Sequence, residues 1–180
     1  ALTVVAVAAC VTLAWTAPYR NPGTFYAQAV QSSPHLPSAH VHLADTLIGV
    51  DDARAEAGYL RALELHPAEK LAHNNLGVLY LRRGALEAAE REFTAELERA
   101  PDYAQAWYNL ALVQSNRGDG QKAEALLLHA LSLNPDYTAA YSQLAGIYAS
   151  RGDQTKLLRA LEAMERLGVQ ITTRPATAEP

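Results

Sequence analysis

Cysteine, aromatic residues and clustered positive charge are all scarce in this chain of 180 residues. Cys10 is the single cysteine, which excludes an internal disulfide framework and a thiolate metal cluster. Because Cys10 lies in an apolar run, we interpret it as a packed thiol and not as a reactive one. Only 7% of the residues are aromatic, and alanine and leucine dominate the 49% that are hydrophobic. Such a composition favours helices that approach one another closely.

The charge balance gives no reason to expect a nucleic-acid partner. The net charge is −4, and the basic residues are scattered along the chain, mostly one or two per predicted helix. Nucleic-acid binding requires a clustered basic face that neutralises phosphates. The acidic run between Glu87 and Glu98 is interpreted as a solvated helix face.

The six histidines do not suggest a metal site. His40 and His42 are two residues apart, so a helix would point them about 200° apart, whereas same-face metal pairs need a spacing of three or four. His42 and Asp45 have that spacing, but no nucleophile or oxyanion pocket is suggested nearby, and we interpret them as a solvated pair. The sequence therefore predicts no catalytic residue, no metal and no cofactor, and this segment is not expected to be an enzyme.

The N-terminal residues 1–17 contain no charged residue. At roughly 1.5 Å per residue a helix of this length spans about 26 Å, near the lower limit for crossing a bilayer. Trp15 and Tyr19 lie where an interfacial aromatic belt is expected, and Arg20 follows. We interpret the run as a membrane helix; a signal-peptide remnant, which should begin with basic residues, and a buried helix are the alternatives. Because the first residue is alanine, we expect a fragment or a processed product.

These features predict a membrane-associated protein whose remaining residues occupy an aqueous compartment. Arg20 alone is too little to assign the side of the membrane by the positive-inside rule.

A period of 34 residues runs through the rest of the chain. It is marked by three prolines, three leucines and three glycines: Pro67, Pro101 and Pro135; Leu76, Leu110 and Leu144; Gly84, Gly118 and Gly152. Repetition at this period is typical of stacked supersecondary units, not of a closed globule with one buried site. Function is therefore expected on an extended surface.

Residues 104–135 show the unit most clearly. Trp107 and Leu110 share one face of a first helix, Gly118 provides its left-handed end, and Asp119 is a suitable N-cap for a second helix. The unit is thus a hairpin of two short antiparallel helices.

The chain divides into a half-copy and four full copies of this hairpin. Residues 18–36 form a linker and the half-copy, 37–67, 70–101, 104–135 and 138–168 form the full copies, and 169–180 form a flexible tail. The first full copy is one residue short, around Gly49–Asp52. We therefore predict an all-α fold, an α-solenoid of stacked antiparallel hairpins preceded by the apolar helix 1–17, which is interpreted as a membrane span.

The repeated residues resemble the tetratricopeptide repeat (TPR) family. The unit at 70–101 follows the family pattern with Leu76, Gly77, Tyr80, Ala89, Phe93 and Pro101. Three departures, Gln114, Glu96 and Leu157, suggest local repacking only. The resemblance implies a right-handed superhelix whose first helices line a concave groove for a protein or an extended peptide.

Nine positions are the groove candidates implied by the resemblance: His42, Asp45, Asn74, Asn75, Tyr108, Asn109, Leu112, Ser142 and Gln143. Asn75, Asn109 and Gln143 repeat at the 34-residue period, and their amides can pair with any peptide backbone. They resemble the asparagine ladder of O-linked N-acetylglucosamine transferases. The alternative is that these amides are simply tolerated on a solvated helix face. The positions that match the carboxylate clamp of chaperone-binding members lack basic residues, which argues against recognition of a peptide C-terminus.

Three functions remain open from the sequence. The leading hypothesis is a membrane-anchored scaffold that binds a protein or peptide in the groove. Residues 13–34 resemble the C-terminal end of membrane glycosyltransferases of the protein mannosyltransferase type. The alternative hypothesis is therefore that the chain is the non-catalytic C-terminal part of such an enzyme and positions its acceptor protein. The third hypothesis is a structural assembly factor of an envelope complex. The oligomeric state is not predicted.

Overall fold

A computed structural model describes residues 21–69 and 71–170, and the regular elements in these ranges are all helices. They are α1 (Pro22–Ser32), α2 (Pro37–Leu47), α3 (Asp52–Leu65), α4 (Ala72–Arg82), α5 (Leu86–Arg99), α6 (Ala104–Asn116), α7 (Gly120–Leu133), α8 (Thr138–Arg151) and α9 (Gln154–Arg166). The prediction of an all-α fold is confirmed for these residues. Within them, every helix is too short or too polar to cross a bilayer. The predicted membrane helix 1–17 lies outside the described residues, as does most of the predicted tail.

Two compact units make up the chain, Ala1–Glu92 and Phe93–Pro180, and the boundary falls inside α5. In the first unit α1 packs on α2, α2 on α3 and α3 on α4. In the second unit α6 packs on α7, α7 on α8 and α8 on α9. Short connections place consecutive helices side by side, as in other helical hairpins.

The turns inside the hairpins follow the predicted chemistry. Gly118 and Gly152 adopt φ angles of 79° and 72°, a left-handed conformation that side chains resist. Asp119 and Asp153 follow them, and each side chain accepts a hydrogen bond from the backbone N–H three residues later at 3.1 Å. These are N-caps, and they satisfy donors that the first turn of a helix leaves unpaired.

Each unit has its own apolar core. In the first unit the core consists of Val41, Ala44, Ala55, Tyr59, Ala62, Ala72, Leu76 and Leu79. In the second unit it consists of Ala111, Leu127, Leu131, Ala140, Leu144, Ala145, Tyr148 and Ala160. Many of these residues are alanines, which let helix backbones approach closely. Of the three periodic leucines, Leu76 and Leu144 are buried, whereas Leu110 is only half-buried.

The backbone carbonyls of Pro101 and Pro34 each bind a ring N–H of the following helix. Trp107 donates its indole N–H to the carbonyl of Pro101, six residues earlier, at 2.8 Å. The ring Nε2 of His40 makes the corresponding contact with the carbonyl of Pro34, also six residues earlier, at 2.9 Å. Histidine therefore takes the place of tryptophan in the first full repeat, because either ring can place an N–H at this carbonyl.

The acidic face of α5 is not simply solvated, contrary to the prediction. Glu96 is buried, with 7% of its surface exposed. Glu92 lies 2.7 Å from Nδ1 of His73, and both side chains are largely buried. These two glutamates are four residues apart and therefore lie on the same face of the helix. The other glutamates of the run, Glu87, Glu90 and Glu98, are exposed or half-buried.

Two helical glycines provide a matched test of packing. A Cβ atom on Gly58 of α3 would lie 3.0 Å from the Cβ of Ala44 and 3.2 Å from the carbonyl oxygen of His40. A Cβ atom on Gly146 of α8 would meet nothing within 4 Å. We expect Gly58→Ala to lower the free energy of unfolding by about 1–3 kcal/mol through overpacking. Gly146→Ala should raise it by about 0.5–1 kcal/mol, because alanine favours the helix.

Urea denaturation followed by circular dichroism measures both effects. Equal effects of the two substitutions would show that helix propensity, and not the contact of α3 with α2, determines the outcome at Gly58.

Candidate functional site

Four of the predicted groove residues come together in the first unit. His42 and Asp45 lie on α2, and Asn74 and Asn75 lie on α4. The Asn75 side-chain N–H donates to Oδ1 of Asp45 at 2.9 Å, and the Asn74 side-chain N–H donates to Oδ1 of Asn75 at 3.1 Å. We call these four residues the Asp45 site. Asp45 and Asn75 are 30 residues apart in sequence, and adjacent repeats bring their first helices into contact distance.

Tyr59 also contacts this site, and its contact was not predicted from the sequence. Its hydroxyl donates to Oδ1 of Asp45 at 2.6 Å, while its ring is fully buried in the core of the unit. Burial, reinforced by the Asp45 carboxylate, raises the pKa of Tyr59 well above its usual range, so it stays a donor at neutral pH. Phe93 occupies the position one period later, and the additional hydroxyl at Tyr59 was the available signal.

The orientation of the Asn75 amide follows from the chemistry of its partner. An ionised carboxylate can only accept hydrogen bonds, so the amide nitrogen of Asn75 must face Asp45. Its oxygen then accepts from Asn74. An amide has two N–H groups and two lone pairs, so these bonds leave one donor and one acceptor of Asn75 for a ligand.

An aromatic contact borders the Asp45 site. The rings of Tyr26, on α1, and His42 lie 4.9 Å apart between centroids and are tilted by 31°. Nδ1 of His42 is 3.7 Å from Oδ2 of Asp45, which is beyond hydrogen-bond distance. Oδ2 therefore has no hydrogen-bond donor among the described residues, and the Asp45 side chain is 38% exposed to a donor from outside.

The second unit holds the other predicted residues, with Tyr108, Asn109 and Leu112 on α6 and Ser142 and Gln143 on α8. The Tyr108 ring packs against that of Tyr137, with centroids 5.0 Å apart. Ser142 is exposed, and Gln143 lines a polar pocket of about 560 Å³ together with Ser115 and Ser150.

Burial separates the predicted amides into two groups. Asn74 and Asn109 are buried, with 3% and 5% of their surface exposed, whereas Asn75 and Gln143 are half-buried. A ligand therefore reaches Asn75 and Gln143 more readily than the other two. The ladder of Asn75, Asn109 and Gln143 stays a prediction from their spacing.

A repeated glutamate bridge joins neighbouring repeats, and it was not predicted from the sequence either. In the first unit Glu56 of α3 accepts from the hydroxyl of Tyr80 at 2.9 Å and from the guanidinium of Arg83. Two periods later, Glu124 of α7 accepts from the Tyr148 hydroxyl at 3.1 Å and from the Arg151 guanidinium. We call these the Glu56 bridge and the Glu124 bridge. The common spacing of glutamate, tyrosine and arginine was the signal.

Electrostatics in the bridges favour the ionised glutamates. The Arg83 guanidinium holds the pKa of Glu56 below its usual range, and the Lys156 ammonium, at 2.9 Å, does so most strongly for Glu124. Burial raises the pKa of Tyr80 and of Tyr148 to about 12. Both tyrosines therefore stay protonated and donate to the carboxylates over the whole physiological pH range.

We expect Glu124→Gln to lower the free energy of unfolding by about 1.5–3 kcal/mol at pH 7, because charge-assisted hydrogen bonds are lost. The folded-state pKa of Glu124 is lowered, so its contribution is fully present above the unfolded pKa and is lost as pH falls through the folded value. The difference between variant and wild type should therefore shrink as pH falls below about 4.

Denaturation curves between neutral and acidic pH measure this difference. Glu162→Gln, which changes an exposed glutamate on α9, is the control and should have little effect at any pH. A constant difference for Glu124→Gln across the pH range would contradict the bridge as its origin.

Metal binding finds no support in the described ranges, since no group of three or more His, Cys, Asp or Glu residues there is arranged to hold an ion.

Comparison with protein families points to one kind of repeat. Family models described as "Tetratricopeptide repeat" match residues 59–91 and residues 104–137. No curated protein matches the chain in sequence. The weaker resemblance of residues 13–34 to mannosyltransferases stays a prediction.

Several solved structures share the fold. PilW, described as a widely conserved type IV pilus biogenesis factor, is 19% identical with a TM-score of 0.76, over 94% of this chain and 80% of PilW. YrrB, described as a TPR protein with an unusual peptide-binding site, is 23% identical with a TM-score of 0.66, over 79% of this chain and 74% of YrrB. MamA from Desulfovibrio magneticus RS-1 is 18% identical with a TM-score of 0.70, over 81% of this chain and 83% of MamA. At these identities the likeness shows the fold alone.

Proposed function

Because this chain is a tetratricopeptide repeat protein, we propose that it is a non-catalytic scaffold that binds extended peptide segments of partner proteins. The Asn75 amide carries the proposal. Its partners Asp45 and Asn74 hold it in one orientation and leave one donor and one acceptor for a ligand. A peptide unit offers the complementary acceptor and donor whatever its side chain.

The remaining predicted residues suit the same class of ligand. In the second unit Gln143 offers a second amide, Ser142 an exposed hydroxyl and Tyr108 an aromatic ring. In the first unit the open Oδ2 of Asp45 can accept from a peptide N–H or a basic side chain. YrrB, which shares the fold, is described as having a peptide-binding site, and this supports a peptide as the ligand.

The test begins with a displayed library of random heptapeptides selected on the full chain. For a selected peptide, Asn75→Ala should weaken binding about tenfold, since two hydrogen bonds to the backbone are lost. N-methylation of the contacted peptide bond should weaken binding to the wild type by a similar factor and add little to the loss in Asn75→Ala. Fluorescence anisotropy of the labelled peptide measures each affinity.

Asn116→Ala is the matched control, because Asn116 is an exposed asparagine whose side chain donates to the carbonyl of Leu112 within α6. It should leave the affinity unchanged. Full affinity in Asn75→Ala, or failure of the library to give any binding peptide, would reject the proposal.

We also propose that residues 1–17 anchor the chain at a membrane and leave the repeats in an aqueous compartment. The absence of charge over residues 1–17 supports this. The chain should float with phosphatidylcholine vesicles in a density gradient, and a variant with Val5→Asp and Val11→Asp should not. A wild-type chain that stays at the bottom of the gradient would contradict the anchor.

Two rival roles rest on narrower support. Residues 13–34 support an acceptor-positioning part of a membrane glycosyltransferase of the protein mannosyltransferase type. The likeness to PilW, a pilus biogenesis factor, supports an assembly factor of an envelope complex.

A further inference from the structure

A second pocket lies in the second unit. It has a volume of about 310 Å³ and is formed by α7, α8 and α9. Its walls are Leu128, Tyr141, Leu144, Tyr148 and Ala160, with Glu124, Lys156 and Arg159 at the polar positions. None of the nine predicted groove residues lines it, so it is independent of the proposed peptide site.

The volume of the pocket and its lining residues indicate what kind of group can bind there. The volume is at the lower end for small-molecule sites, which suits one large side chain better than a cofactor. Leu128 is 49% exposed at the pocket, so its side chain is available to a ligand. An apolar group in the pocket would remove Leu128 and the half-buried Tyr141 from water.

The charged residues at the pocket indicate which charge a bound group should have. Glu124 is already bound by Tyr148, Arg151 and Lys156, and the Lys156 ammonium lies 5.2 Å from the centroid of the Tyr148 ring. Arg159 is exposed and forms no ion pair with any residue in the ranges 21–69 and 71–170. The pocket therefore has one available cation, in a chain whose net charge is −4.

We propose that this pocket binds a segment of a partner protein in which an aromatic or large aliphatic side chain stands next to a carboxylate. The apolar side chain packs against Leu128 and Tyr141, and the carboxylate pairs with Arg159. A guanidinium can hold a carboxylate through two parallel hydrogen bonds, which adds direction to the charge attraction.

The test is an NMR titration of the full, isotope-labelled chain with an N-acetylated, C-amidated hexapeptide that has Phe–Asp between glycines. Saturable shifts are expected for the amides of Leu128 and Ala160. Peptides with Phe–Asn or Phe–Lys should bind about three to five times more weakly, and one with Ala–Asp about ten times more weakly. Arg159→Glu should reverse the order of Phe–Asp and Phe–Lys, and Leu128→Asp should abolish the saturable shifts.

Arg166→Glu is the matched control, because Arg166 is an exposed arginine of the same helix outside this pocket, and it should keep the preference for Phe–Asp. Leu128 and Arg159 are exposed, so their variants should fold, which circular dichroism verifies. Equal binding of the Phe–Asp and Phe–Lys peptides, loss of the preference in Arg166→Glu as in Arg159→Glu, or no saturable shift at millimolar peptide would overturn the proposal. Asn75→Ala should leave this binding intact, so the two proposals fail separately.

Discussion

Replacing Tyr59 by alanine is expected to lower the free energy of unfolding by about 3–5 kcal/mol, since large aromatic truncations leave cavities that close only partly. The ring of Tyr59 is fully buried among the alanines and leucines of the first unit. The same change removes the hydroxyl that donates to Asp45. Chemical denaturation, followed by circular dichroism, measures the loss.

Tyr59→Phe separates the ring from the hydroxyl. It keeps the packing and removes one bond to a carboxylate, for which we expect a loss of about 1.5–3 kcal/mol. It should also weaken peptide binding at Asn75, because Asp45 loses one of the two donors that orient it. Leu60→Ala, at the exposed neighbouring residue, is the control and should cost less than about 1 kcal/mol. If Tyr59→Phe destabilised as much as Tyr59→Ala, the cavity argument would be wrong.

In the second unit Leu127→Ala should cost about 2–5 kcal/mol. Leu127 is fully buried in a core that includes Leu131, Leu144 and Tyr148. Leu128 is the adjacent residue on the same helix and is 49% exposed, so Leu128→Ala should cost less than about 1 kcal/mol.

The two substitutions remove the same side chain from α7 and change helix propensity equally. They differ only in that Leu127 points into the core and Leu128 points towards solvent. Thermal and urea denaturation should therefore rank them far apart. Similar losses would mean that the core of the second unit is not packed around Leu127.

The turn between α6 and α7 was predictable from short-range chemistry. Gly118 takes the left-handed conformation, and Asp119 caps the following helix, as expected from residue type and position. Both effects act within a few residues, so the sequence contains all the information that they require. The apolar period likewise identified buried Leu76 and Leu144.

The Asp45 site was predictable only in part. The family resemblance named His42, Asp45, Asn74 and Asn75, and the structure brings these four side chains together. Which of them is buried, and which is held by Tyr59, depends on how α2, α3 and α4 are rotated against one another. A side chain that turns by a fraction of a helical turn changes from exposed to buried, and no local pattern specifies this rotation.

The sequence by itself determined the all-helical repeat, its turns and core positions such as Leu76 and Leu144, because these follow from helical periodicity and from capping within one hairpin. The tertiary structure alone decided which polar side chains meet: Glu124 with Tyr148 and Lys156, Asp45 with Tyr59 and Asn75, and Arg159 left unpaired beside Leu128 in the described ranges. All four contacts join residues of different helices, 14 to 32 positions apart. Their formation depends on the distance and rotation of packed helices, which the packing of many side chains sets together.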